Sequence, residues 1–214
     1  MRQFKIYRDY HGLGCEIIAK DEITILSGVT VLVGCNGAGK STLICQLKDI
    51  LTGLNIPYME YDNLRDGGDK RASWAGYTGD LKTLASMVKS SEGENIHFNI
   101  GEFAGKIGSF VREQPRGADI WVFLDAVDSG LSVDNIVEVK DFFNFVQDTD
   151  KDKTFHFIVS ANEYEMARGE YCFGVQSGEY VTFDSYEEYR EFILNSRELK
   201  DRRKYKKVRK RRYT

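Results

Sequence analysis

The sequence predicts an α/β fold, with a mostly parallel central sheet, antiparallel additions and flanking helices. Three observations carry that reading. Val29 to Val33, Ile120 to Leu124 and Phe155 to Val159 are short, nearly all-apolar runs rich in β-branched and aromatic residues, the pattern of strands covered on both faces. Between them lie stretches whose apolar residues recur at helical spacing. Alternating segments near both ends supply the antiparallel part.

Taken in order, Phe4 to Tyr7, Glu16 to Ile18 and Thr24 to Leu26 alternate like strands, and Ser27-Gly28 turns the chain into the run Val29 to Val33. A helix through Leu43, Ile44, Leu47, Ile50 and Leu51 follows a glycine-rich loop and stops at Gly53. Ile56 to Tyr61 reads as a strand, and Asn63 to Gly79, polar and without a period, as a loop. Asp80 caps a short helix to Lys89. A longer one from Glu92 to Arg112 aligns Ile96, Ile100, Phe103, Ile107, Phe110 and Val111 on one face, before Pro115 and Gly117 end it. Ser132 is positioned as the N-cap of a helix carrying Val133, Ile136, Val139, Phe142, Phe143 and Val146. Tyr171 to Val175 and Tyr180 to Phe183 form a hairpin around Gln176 to Glu179. Ser185-x-x-Glu188 is a capping box opening a final helix to about Leu199.

The 214 residues can bury one sizeable core. The expected organisation is one domain over 1–199 followed by a basic tail over 200–214. That tail holds ten Lys or Arg against Asp201, a net of +9, so the remaining residues, with 20 basic and 32 acidic, carry −12. No apolar run reaches the roughly 18 residues that a membrane span requires, and the first residues lack the apolar centre of a signal peptide. Cys15, Cys35, Cys45 and Cys172 show no Cys-x-x-Cys or metal-finger spacing. The expectation is a cytoplasmic protein with reduced thiols.

The strongest chemical signal is Gly34-Cys35-Asn36-Gly37-Ala38-Gly39-Lys40-Ser41-Thr42, a full match to the P-loop pattern G-x-x-x-x-G-K-[ST]. Glycines allow successive backbone N–H groups to turn towards phosphate oxygens. The helix starting near Lys40 adds the positive end of its dipole. Lys40 would reach the β- and γ-phosphates of ATP, and the Ser41 hydroxyl would ligate Mg²⁺. Asp125, directly after the strand Ile120 to Leu124, is the second candidate Mg²⁺ support. Tyr7 or Tyr10 could stack on the adenine.

These motifs, in this order, resemble the ABC-type P-loop ATPases, closest to the heads of SMC, RecF-like and recombination-repair members that act on DNA. Asn36 is the form common in that branch. Ser91-Glu92-Gly93-Glu94 is similar to the signature S-G-G-[QE], and the string from Leu124 to Ser132 to the Walker B and D-loop string L-D-E-P-x-S-G-L-D. The resemblance spans roughly Phe4 to Asn162. It implies a head-to-tail homodimer clamping ATP between one P-loop and the partner's signature segment, with Ser91, Gly93 and Glu94 completing the nucleotide site. Only 48 residues separate Thr42 from Ser91, leaving no room for a long coiled coil or a membrane-docking subdomain, and the head is of the minimal kind expected in a phage or mobile element.

The departures set further expectations. Ala126 stands where the family keeps its catalytic glutamate, and Ala161, or Asn162 if the alignment slips by one, where it keeps the switch histidine. Removing a general base costs about 10²- to 10⁴-fold in rate, so hydrolysis is expected to be slow or partner-dependent, with Asp128 a substitute base or merely a loop acid. The tail could neutralise DNA or RNA phosphates or simply be solvated. Two other readings stand beside the dimer switch: a P-loop phosphotransferase with an acceptor pocket in Asn63 to Gly79, and a catalytically silent nucleotide-binding adaptor.

Overall fold

A computed structural model of the chain describes residues 1–10, 12, 16–62, 104–128 and 131–211. Its main sheet has six strands in the order β4 (Tyr58–Asp62), β5 (Asp119–Asp125), β6 (Thr154–Ser160), β3 (Gly28–Val33), β7 (Tyr171–Gly174) and β8 (Glu179–Val181). Pairings from β4 through β7 are parallel, and β7 meets β8 antiparallel. A separate antiparallel pair joins β1 (Arg2–Lys5) to β2 (Glu22–Ile25). The described helices are α1 (Lys40–Gly53), α2 over residues 104–113, α3 (Val133–Thr149), α4 (Tyr164–Ala167) and α5 (Tyr186–Arg211). No described helix is long and apolar enough to cross a membrane.

The all-apolar strands arise because the sheet is covered on both faces. Successive side chains point to opposite faces, so Val31, Val33, Val122, Leu124, Phe157 and Val159 join one core with residues of α2, α3, α4 and α5. Leu32, Trp121, Phe123, Ile158 and Phe173 join the other, beneath α1 and the β1–β2 pair. That second core is aromatic at its centre. Trp121 is stacked on His156 at 4.0 Å between ring centroids and meets Phe4 edge-on at 5.4 Å.

The fold class, the three buried strands and the terminal hairpin agree with the sequence expectations. Two elements differ. Residues 16–18 join no strand: Ile17 N–H donates to the Arg8 carbonyl at 2.8 Å, Ile18 is buried among the α1 residues and Ile17 packs at the edge of that core. Both apolar side chains are thus used outside a ladder. The final helix does not stop near Leu199 but continues to Arg211. After residue 183 there is neither Gly nor Pro, Lys and Arg are good helix formers, and Arg202 pairs with Glu198 one turn back at 3.2 Å. Half of the capping box is formed as expected, Glu188 N–H donating to Ser185 Oγ at 3.3 Å, while the Glu188 carboxylate reaches one residue further back and accepts from Asp184 N–H at 3.0 Å. The Asn63–Gly79 loop, the Asp80–Lys89 helix and the start of the helix expected from Glu92 lie outside the described residues.

His156 supplies a pH prediction. Burial lowers its pKa, opposed by its hydrogen bond to the Leu26 carbonyl and by Asp119; the Nδ1–H donates to Leu26 O at 2.9 Å. A folded pKa below the unfolded one means that the unfolded chain binds more protons under about pH 6.5. Stability is therefore full above that pH and falls as the pH drops through the folded value. The slope from this one group is at most about 1.4 kcal/mol per pH unit. Thermal unfolding between pH 8 and pH 5 should show the loss, and His156→Phe should flatten it; an unchanged slope in the variant would reassign the effect elsewhere.

Candidate functional site

The parallel register brings the carboxyl ends of β3, β6 and β5 side by side, the edge where open α/β sheets bind ligands. Val33, Ser160 and Asp125 are the last residues of those strands. From Val33 the chain turns through residues 34–39 into α1, whose first N–H groups have no intrahelical acceptor. Gly39 has φ +105°, and a Cβ on it would stand 1.9 Å from Ile17 Cγ2. Both the backbone angle and the close approach of Ile17 require glycine there.

Lys40 is almost wholly buried. Its Nζ donates to the Gly34 carbonyl at 2.8 Å and to Asn162 Oδ1 at 2.9 Å. Burial lowers its pKa, while the carboxylates of Asp128 and Asp125 pull the other way. Among the described residues the ammonium is thus a desolvated cation whose direct partners are neutral, an arrangement that an incoming anion would stabilise.

Across the gap, Asp125 Oδ1 accepts a hydrogen bond from Ser160 Oγ, which itself accepts from the Ala126 N–H at 2.9 Å. That hydroxyl aims the carboxylate and fixes the turn after β5. Ala126 adopts φ +53°, a left-handed backbone costly for a residue with a Cβ. Asn36, Gly37, Gly39, Lys40, Ser41, Thr42, Asp125, Ala126, Ser160 and Asn162 line a cavity of about 260 Å³. The loop's remaining members lie behind it: Cys35 and Ala38 are buried, and Ala38 N–H closes a turn on the Cys35 carbonyl at 2.9 Å.

Asp128 does not line this cavity. Its side chain is 1% exposed, and Oδ2 accepts from the backbone N–H groups of Asn162 and Glu163 at 2.6 and 2.7 Å. Burial raises its pKa against the pull of those two amides. Its described contacts are those of a clasp holding the turn after β6. Tyr189 grips the same turn, donating its hydroxyl to the Asn162 carbonyl at 2.7 Å. Of the two candidates for the switch position, Ala161 is packed into the core at 1% exposure, and Asn162 presents its amide to Lys40.

The structure thus gathers Asn36, Gly37, Gly39, Lys40, Ser41, Thr42 and Asp125 around one cavity, whereas Ser91, Gly93 and Glu94 lie outside the described residues. Tyr7 keeps its ring 69% exposed, its backbone clamped by the Gln46 amide at 2.9 and 3.1 Å. Tyr10 spends its hydroxyl on Asp49, which pushes its pKa up to about 12. Sequence reasoning missed Ser160, whose only signal is a hydroxyl directly after the apolar run Phe157 to Val159. It also missed Ser196 and Lys200 on α5: Ser196 Oγ accepts from Cys35 N–H at 3.0 Å, and Lys200 Nζ donates to the Asn36 carbonyl at 2.7 Å.

Ser41 and Asp125 put two oxygen donors on the cavity wall. Among the described residues no group of three or more metal-ligating side chains occurs. The two donors fit Mg²⁺, which keeps several waters and takes one or two protein oxygens plus substrate phosphates; they would not suit a metal needing a full protein cage.

A scan of the chain against protein-family models finds no match, and a search among curated proteins finds none either.

Proposed function

We propose that this chain is a Mg-ATP-binding, ABC-type ATPase-like head domain that dimerises head to tail on the nucleotide and serves as a switch in DNA metabolism. The observation carrying the reading is the buried Lys40 ammonium, held at the mouth of a helix start opposite Asp125 and bonded, among the described residues, to neutral partners. A triphosphate would give it charge-assisted hydrogen bonds, the α1 amides would take the phosphate oxygens, and Ser41 with Asp125 would hold Mg²⁺. The bound ion would neutralise phosphate charge and polarise the terminal phosphorus.

Hydrolysis by the isolated chain is expected to be slow. Ala126 offers no base, Asn162 is neutral, and the described contacts of Asp128 are a clasp on backbone amides. The dimer half of the proposal rests on the Ser91-to-Glu94 segment, and the DNA half on the cations from Lys200 onward. Light scattering with and without Mg-ATP tests the first. The mass should double with nucleotide in the wild type and stay monomeric in Ser91→Arg, which crowds the partner's phosphates with a bulky side chain. A protein that binds ATP but keeps one mass throughout would sink the clamp.

A further inference from the structure

The carboxyl-terminal helix brings two cations to the P-loop that the motif does not account for. Tyr189, Ile193, Ser196, Arg197 and Lys200 recur at helical spacing along α5 and face the outer side of the loop. Ser196 fixes that contact, since its hydroxyl accepts from Cys35 N–H at 3.0 Å and donates to the buried Gln176 side chain at 2.7 Å. Lys200 Nζ meets the Asn36 carbonyl at 2.7 Å, and it would lie 3.7 Å from a Cβ placed on Gly37. One turn earlier, Arg197 lines the same cavity of about 300 Å³ and forms no ion pair with any described residue.

This second cavity and the phosphate cavity share Asn36 and Asn162. Lys40, which the motif assigns to the β- and γ-phosphates, is bonded to Asn162 at 2.9 Å. A polyphosphate laid from the start of α1 towards Asn162 therefore ends at the shared rim. The cations beyond that rim are Lys200 and Arg197.

We propose that Lys200 and Arg197 bind the terminal phosphate of the nucleotide held by their own chain, and so give the site its preference for triphosphate over diphosphate. The proposal rests on the nucleotide reading above. Lys200 would exchange a bond to a neutral carbonyl for one to an anion, roughly twice as strong. Arg197 can grip two phosphate oxygens at once. The positive charge comes from the same polypeptide, at a site where Ala126 and Asn162 carry none.

Calorimetric titration of Mg-ATP and Mg-ADP into the wild type, Lys200→Ala, Arg197→Ala and Lys200→Arg tests it. Each alanine variant should lose about tenfold in ATP affinity with ADP affinity unchanged, and Lys200→Arg should retain most of the difference. Ser196→Ala, which loosens the loop without removing charge, should weaken both nucleotides alike. Equal loss for ATP and ADP in Lys200→Ala, in a protein of wild-type melting temperature, would make the lysine a buttress and overturn the proposal. So would a wild type that binds both nucleotides equally well. A wild type that binds neither overturns the nucleotide reading, and this one with it.

Discussion

Replacing Lys40 with alanine should cost about 100-fold in ATP affinity while leaving the protein folded. The ammonium would contribute charge-assisted bonds to two phosphates, each worth about 1.5–3 kcal/mol, and a tenfold change needs about 1.4 kcal/mol. Stability should move much less, because the same burial that lowers the lysine pKa makes the free cation costly to keep. Its loss frees the Gly34 carbonyl and the Asn162 amide, both of them on residues that line the neighbouring cavity of about 300 Å³. Lys40→Met, which retains the aliphatic stem, should bind as poorly and melt at or above the wild-type temperature. Titration calorimetry and thermal denaturation on the same samples separate the two effects. Intact ATP binding in a folded Lys40→Ala would remove the main support for the nucleotide site.

The second large effect is structural. Trp121→Ala should destabilise the protein by about 4 kcal/mol, a large fraction of the 5–15 kcal/mol that a domain of this size commands. Trp121 is fully buried in β5, stacked on His156 and edge-on to Phe4, so the substitution removes the aromatic contacts joining the sheet to the β1–β2 pair. Trp121→Phe should lose much less. The indole N–H has no hydrogen-bond partner among the described residues, and phenylalanine removes that unsatisfied donor together with some volume. Chemical denaturation curves would show the ordering. A tryptophan-to-phenylalanine loss as large as the alanine one would mean that shape alone governs the site.

The sheet and the loop at its edge were legible for a simple reason: their sequence signals are local. An all-apolar run such as Val29 to Val33 declares that both faces are covered, and the spacing from Gly34 to Thr42 declares which backbone must turn and which side chain must reach. Asp125 was legible as the polar end of such a run. Ser160 was not, because only the parallel register of β5 and β6 sets its hydroxyl against that carboxylate. Asp128 could be read as base or as loop acid, and only the fold reveals the two amides it holds. Ser196 and Lys200 stand 161 and 164 residues from the loop atoms they touch, a separation that no motif spans. The end of the final helix was misjudged because the charge run was read as a tail, whereas lysine and arginine propagate a helix that no Gly or Pro interrupts before Arg211.

That continuous helix has a mechanical consequence. At about 1.5 Å per residue, Lys200 to Arg211 covers roughly 16 Å, and its near end is bonded to the Asn36 carbonyl. A flexible string of that length would let whatever it gripped drift over a broad volume. A rod rooted in the loop acts instead as a spacer of set length and bearing. Cargo caught along it would be presented at a defined offset from the carboxyl edge of the sheet, and lengthening the rod by whole turns would shift that offset in steps of about 5.4 Å.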